Sequence, residues 1–356
     1  MVIAALVFSA AGCGGEGSDE TVYRTVRKDS GTRPAGSSPV MARAETDPDT
    51  AGAVSGGQAA GEIEAEEGFG EVTYEGAEAA YLDRDYRKAV DMFTVYTGER
   101  AENPWGFYML GLSAWKAGDY EKAEGAFRMA LDLDPDHLKS HINLARVFLD
   151  SGSPESAAAC VDEALAIEPG SAVAYRLRGR ALHQLGERDG AIEAYRNALM
   201  IDDHDAWSMN NMALIMIEQE RFEEALSPLA RAVEIKGGVA LFHNNLGMAL
   251  ERCGYYRAAE KAYDTALTLE FYERPEINFE RISQVDEEPG LEPVDLAALS
   301  SGFAGQVESW KAAYAGSAQP DSTVATAPVP SGDPAAGNGR QAVAGSDSAY
   351  AGREKF

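Results

Sequence analysis

Between residues 71 and 270, small and bulky apolar residues alternate at helical spacing, and the whole arrangement returns every thirty-four residues. One column holds Ala89, Ala123, Ala157, Ala191, Ala225 and Ala259, and four residues after each stands Phe93, Phe127, Val161, Tyr195, Leu229 or Tyr263. Seven after each comes Ala130, Ala164, Ala198, Ala232 or Ala266, with Tyr96 in the first unit, and twelve before each comes Ala77, Gly111, Ala145, Gly179, Ala213 or Gly247. Offsets of four and seven keep side chains on one face of a helix. A small residue on each of two helices lets their backbones approach, and a bulky one fills the hole toward the next pair. The pattern predicts a row of helical hairpins, each presenting the same surface to its neighbour. Pro135 and Pro169 close the second and third units.

These columns resemble the tetratricopeptide repeat in period and in their small-large-small order. Where that family often has Trp near the start of the unit, the chain has Thr73, Phe107, His141, Tyr175, Met209 and His243, a column that is mostly space-filling. The resemblance implies an all-α fold: a right-handed superhelical α-solenoid of about six hairpins with a capping helix. The segment RPEINFERISQV, Arg274 to Val285, falls where a seventh first helix would start and is expected to be that cap. PVDLAALSSGFAGQVESWKAAYAG, Pro293 to Gly316, is amphipathic, with Phe303, Val307 and Trp310 at helical spacing for a core or cap contact.

The flanks read differently. MVIAALVFSAAGCGG opens with an apolar run too short to span a bilayer, followed by small residues and Cys13. Ala10-Ala11-Gly12-Cys13 resembles a bacterial lipoprotein signal, whose cleavage leaves an acylated cysteine at the new N-terminus. That resemblance implies lipidation at Cys13 and a place in the cell envelope, lipid-anchored and facing the periplasm, with the outer membrane favoured. The other reading is an apolar terminus with an incidental cysteine on a cytoplasmic protein. Residues 14–70 are rich in Gly, Ala, Ser, Pro and acid without apolar periodicity and are expected to be a disordered tether, with a reach of roughly 40 Å. The chain thus divides into a signal (1–13), a tether (14–70), six repeat units (71–270), capping and C-terminal helices (271–316) and a disordered tail (317–356).

Charge narrows the partners. Against 31 basic residues stand 58 acidic ones, a formal charge of -27, so the surface repels nucleic acid, and contact with a membrane is expected through the lipid anchor only. No catalytic constellation, phosphate loop, cofactor cradle or metal site is legible, and a non-catalytic protein without cofactors is expected. His137 and His141 are one turn apart, but no Glu follows His137 and His141 stands in the space-filling column, which favours a structural role. Cys160 and Cys253 lie in different units and read as small buried residues.

In the tetratricopeptide family the first helix of each unit lines a concave groove. Carried over by that resemblance, the groove positions here are Trp105 and Tyr108, then Lys139, Asn143 and Arg146, then Arg176, Arg180 and His183. The later units add Trp207, Asn210 and Asn211, and then Asn244, Asn245 and Met248. Asn143, Asn211 and Asn245 share one column, where asparagine can hold an extended peptide by its backbone or tie neighbouring helices together. Lys139, Arg146, Arg176 and Arg180 place four cations on one stretch, either as a receptor for an anionic group or as partners of nearby carboxylates. The function expected is a protein-interaction adaptor that binds an extended protein or peptide segment, with envelope complex assembly as its setting. The alternative is a soluble scaffold or a regulatory subunit of an enzyme complex.

Overall fold

The computed structural model describes residues 72–269, 273–283, 285 and 292–317. The signal with Cys13, the tether and the tail beyond Ser317 lie outside the described residues. Contacts group the chain into two units, residues 1–314 and 315–356, and of the second only the end of the last helix is described.

The described residues form fourteen α-helices. Twelve make six hairpins: α1 (Tyr74–Leu82) with α2 (Tyr86–Glu99), α3 (Pro104–Lys116) with α4 (Tyr120–Leu133), and α5 (Leu138–Asp150) with α6 (Pro154–Ile167). The others are α7 (Ala172–Gln184) with α8 (Arg188–Ile201), α9 (Ala206–Glu218) with α10 (Phe222–Ile235), and α11 (Ala240–Arg252) with α12 (Tyr256–Leu269). Then follow α13 (Glu273–Ile282) and the longer α14 (Leu296–Ser317).

Each hairpin closes on the columns read from the sequence. Ala89, Ala123, Ala157, Ala191, Ala225 and Ala259 are fully buried, and so are the bulky residues four positions on. The opposing first helix is small because there is no room for more. A Cβ on Gly179 would stand 2.5 Å from the Tyr195 ring, one on Gly111 2.7 Å from Phe127, and one on Gly247 2.6 Å from Tyr263. In the third and fifth units, where the facing residues are the smaller Val161 and Leu229, the position is Ala145 or Ala213. The turn from first to second helix needs one left-handed residue. Gly118, Gly152, Gly186 and Gly254 supply it at φ of 80–84°. Arg84 and Glu220 fill the same place in the first and fifth units at φ 63° and 59°, where a side chain is tolerated at some cost.

Caps fix where the helices begin. Thr73, Asp85, Asn103, Asp119, Ser171 and Asp205 each accept a backbone N–H from the first turn of the helix that follows, and Pro104 and Pro154 stand where a missing N–H does no harm.

First helices of successive units approach one another, and among the described residues successive second helices do not. The row therefore curves with its first helices on the inner side. The row ends at α13, whose Arg281 stands in the column otherwise held by glycine or alanine and pairs with Glu251. Beside it Ile282 is buried, and Phe279, Val285, Val294, Leu296 and Leu299 pack against the same terminal core. From there α14 runs over the C-terminal ends of α10 and α8. Ser300 donates to Glu234, Lys311 Nζ lies 2.7 Å from Asp203, and the Arg196 guanidinium lies 4.6 Å over the Trp310 ring. Phe303 and Val307 are buried beneath it.

Candidate functional site

The inner face is built from the first helices, and its side chains bond from unit to unit at recurring offsets. An offset of one period plus one residue joins Asn245 Nδ2 to Asn210 Oδ1 at 2.8 Å, Asn143 Nδ2 to the Tyr108 hydroxyl at 3.3 Å and Trp115 Nε1 to Asp150 at 2.9 Å. It also joins His183 Nε2 to both Glu218 oxygens at 3.0 Å. An offset four residues shorter than the period joins Arg180 to Asp150 at 3.2 Å and repeats in Arg281 to Glu251 at 2.8 Å. These offsets are the neighbours of the repeat step on adjacent parallel helices, one position along or one turn back.

Asparagines make a continuous chain across three units. Asn210 Nδ2 donates to Asn211 at 3.2 Å, Asn245 to Asn210, Asn244 to Asn245 at 3.4 Å, and Asn278 to Asn244 at 3.3 Å. Asn210, Asn245 and Asn244 each both give and receive, so the row is held in one register while its buried polar atoms stay satisfied. Asn278 extends the row onto α13 one period after Asn244, a continuation the sequence reading missed although the column pointed to it.

Among the groove positions inferred from the repeat, Tyr108, Asn143, Arg146, Arg180, Trp207, Asn210, Asn211, Asn244 and Asn245 are buried. Lys139, Arg176, His183 and Met248 are half-buried, and Trp105 is 39 % exposed. Arg176 lies 2.8 Å from Asp205 and Arg180 is held by Asp150. Arg146 donates to the Asn143 carbonyl oxygen at 2.9 Å, and the Lys139 ammonium lies 5.6 Å over the Trp105 ring. The carboxylates Asp150, Asp205, Glu218 and Glu251 were not legible as members of this face, because each sits at a helix end, outside the columns that mark the groove.

Trp105 is wedged at its base. Its ring meets the His137 ring edge-on at 4.6 Å and the Tyr108 ring at 5.6 Å. His137 caps α5 through Nδ1, which accepts the Ser140 N–H, and burial lowers its pKa so that the ring is neutral. Burial also raises the pKa of Tyr108. His141 points elsewhere, to the Pro135 carbonyl oxygen at 2.9 Å, and His243 makes the equivalent bond to Gly237 at 2.8 Å. The two histidines one turn apart thus bond to different backbone groups around the one connection between α4 and α5. The Cys160 thiol is pushed up to about 11 by burial, which keeps it protonated at neutral pH. What the face offers chemically is fixed donors and acceptors, one outstanding indole and one ammonium beside it.

Profiles of the tetratricopeptide repeat match residues 74–137, 108–172, 142–206, 206–236 and 240–272. The chain belongs to the tetratricopeptide repeat family. Among curated proteins it is similar to anaphase-promoting complex subunit 3 of Schizosaccharomyces pombe, 25% identical over 228 residues that cover 53% of this chain and 34% of that one. It is also similar to tetratricopeptide repeat protein 7B of Homo sapiens, 33% identical over 129 residues covering 36% of this chain and 15% of that one. The chain therefore spans well under half the length of these relatives. Among solved structures, that of the hetero-tetramer Cut9-Hcn1 of the APC/C aligns with a TM-score of 0.52 at 17% identity, covering 65% of this chain and 47% of that one. The shared fold is a solenoid of tetratricopeptide hairpins, a family of protein-interaction scaffolds.

Proposed function

We propose that this protein is an adaptor whose inner face receives an extended segment of a partner protein, with Trp105 as the aromatic anchor and Lys139 beside it for an anionic group. The observation that carries this reading is the exposure of Trp105. On this face the Trp105 indole stands out at 39 % exposed, braced by His137 and Tyr108. A rigid, half-exposed aromatic loses little conformational freedom on binding and so is suited to be a hot spot. The relative named as a subunit of the anaphase-promoting complex supports a role inside a larger assembly.

We further propose that the adaptor is held at the cell envelope by a lipid on Cys13, facing the periplasm, and serves assembly of an envelope complex. Support for this is the Ala10-Ala11-Gly12-Cys13 segment. No helix among the described residues is long and apolar enough to cross a membrane.

The test is site-specific photo-crosslinking in the native cell, with the photoreactive residue at Trp105 in one strain and at the outward Asp264 in another. Adducts of one mass from Trp105 and none from Asp264 support the groove. Adducts from Asp264 alone would remove it. Cys13→Ser tests the anchor separately: release of the protein from the membrane fraction is expected, and unchanged fractionation would refute it.

A further inference from the structure

The helix α14 shows that the outer edge of the solenoid can hold a helix. Its buried residues Phe303 and Val307 share a cluster with Leu199, Met209 and Phe242, with Ile235 packed against it. Its rim is held by Lys311 on Asp203 and by Ser300 on Glu234.

A repeat protein writes the same surface more than once. Two periods earlier, the counterparts of Leu199, Met209 and Ile235 are Leu131, His141 and Ile167. These three residues line an open cleft of about 750 Å³ between α4, α5 and α6. Every other residue on its wall is likewise the counterpart of one at or beside the α14 seat: Asp132 of Met200, Pro135 of Asp203, Asp136 of His204, and so on to Ala166 of Glu234. The difference between the two places is cover. Leu199 and Met209 are fully buried, whereas Leu131 and His141 are half-buried and Ile167 is 36% exposed.

The rim differs too, and it indicates what would fit. Asp203 and Glu234, which hold α14, become Pro135 and Ala166. Met200, His204 and Arg231 become Asp132, Asp136 and Glu163, all exposed. A second copy's α14 would lose the partners of Lys311 and Ser300 there and bring Glu308 toward an acidic rim. We propose that this cleft is a docking site for a cationic amphipathic helix of a partner protein, seated as α14 is seated two units later. Two apolar residues four apart would enter between Leu131 and Ile167, and lysines or arginines would meet Asp132, Asp136 and Glu163. The site is distinct from the inner face and does not depend on how that face is used.

The probe is a fluorescent peptide of residues 293–316 carrying Glu308→Lys and Ser309→Lys, titrated into the full chain by fluorescence polarisation, beside the unsubstituted peptide. Saturable binding of the cationic peptide at least about tenfold tighter than the native one is expected, weakening as salt is raised. The full chain with Asp132→Lys and Glu163→Lys, both exposed positions, should melt as the wild type does and bind the cationic peptide about tenfold or more weakly. Lack of saturable binding, equal affinity for the two peptides, or undiminished binding to the charge-reversed chain would each overturn the proposal. Self-association of the wild type that the charge reversal abolishes would also overturn it, by naming a second copy as the occupant.

Discussion

Inside a hairpin, neighbours are matched by volume; between first helices, they are matched by hydrogen bonds. Along the seam, glycine faces an aromatic ring in the second, fourth and sixth units, and alanine faces Val161 or Leu229 in the third and fifth. From the second unit to the sixth the two columns vary together; the first unit instead seats Ala77 against Phe93, both fully buried. On the inner face residue types change from unit to unit: Trp115 and Arg180 meet on Asp150, His183 bonds to Glu218, and Arg281 to Glu251. The seam makes every unit alike. The inner face makes each one different, which is where a repeat array acquires a specific partner.

The largest effect is expected from removing one carboxylate of the inner face. Asp150→Ala takes the acceptor from Trp115 and leaves Arg180, whose side chain is 8% exposed, without its counter-charge. A loss of about 3 kcal/mol is expected in denaturant unfolding. A loss below about 1 kcal/mol would place this pair with surface ion pairs and weaken the contrast between the two regions.

Next comes the seam. Gly179→Ala forces a methyl against the Tyr195 ring and should cost about 1 to 3 kcal/mol. If volume is the only rule there, adding Tyr195→Leu should return most of that loss, because the pair then matches Ala213 with Leu229. Failure of the rescue would show that Tyr195 does more than fill space.

The smallest effect concerns the asparagine chain. A double-mutant cycle of Asn210→Ala and Asn245→Ala should give a coupling of about 0.5 to 1.5 kcal/mol. Additive losses would mean that the 2.8 Å bond between them contributes little to holding the register.

The seam was legible in the sequence because both of its columns recur at the repeat period and each pair lies within one unit. Gly179 and Tyr195 could be paired by counting. The inner face was only half legible. Its positions followed from the resemblance to the tetratricopeptide repeat, but its partners lie one period plus one, or one period less four, away and differ in type. Arg180 could be placed on the face; its attachment to Asp150 could not, since Asp150 belongs to no repeating column. Asn278 was within reach, one step beyond Asn244, but it stands on the expected capping helix, outside the six units whose columns define the groove. The cleft beside Ile167 had no signature of its own. It became visible only once α14 was seen filling its counterpart.

Arg281 remains. Every hairpin leaves behind a surface that the next can adhere to, so nothing in the repeat sets its own length, and a bare end would accept another molecule as readily as another unit. Where a seventh second helix would need glycine or alanine, this chain carries a guanidinium held by Glu251. A second helix therefore cannot close on α13 as it does on the earlier first helices, and Val294, Leu296 and Leu299 pack on that terminal core instead.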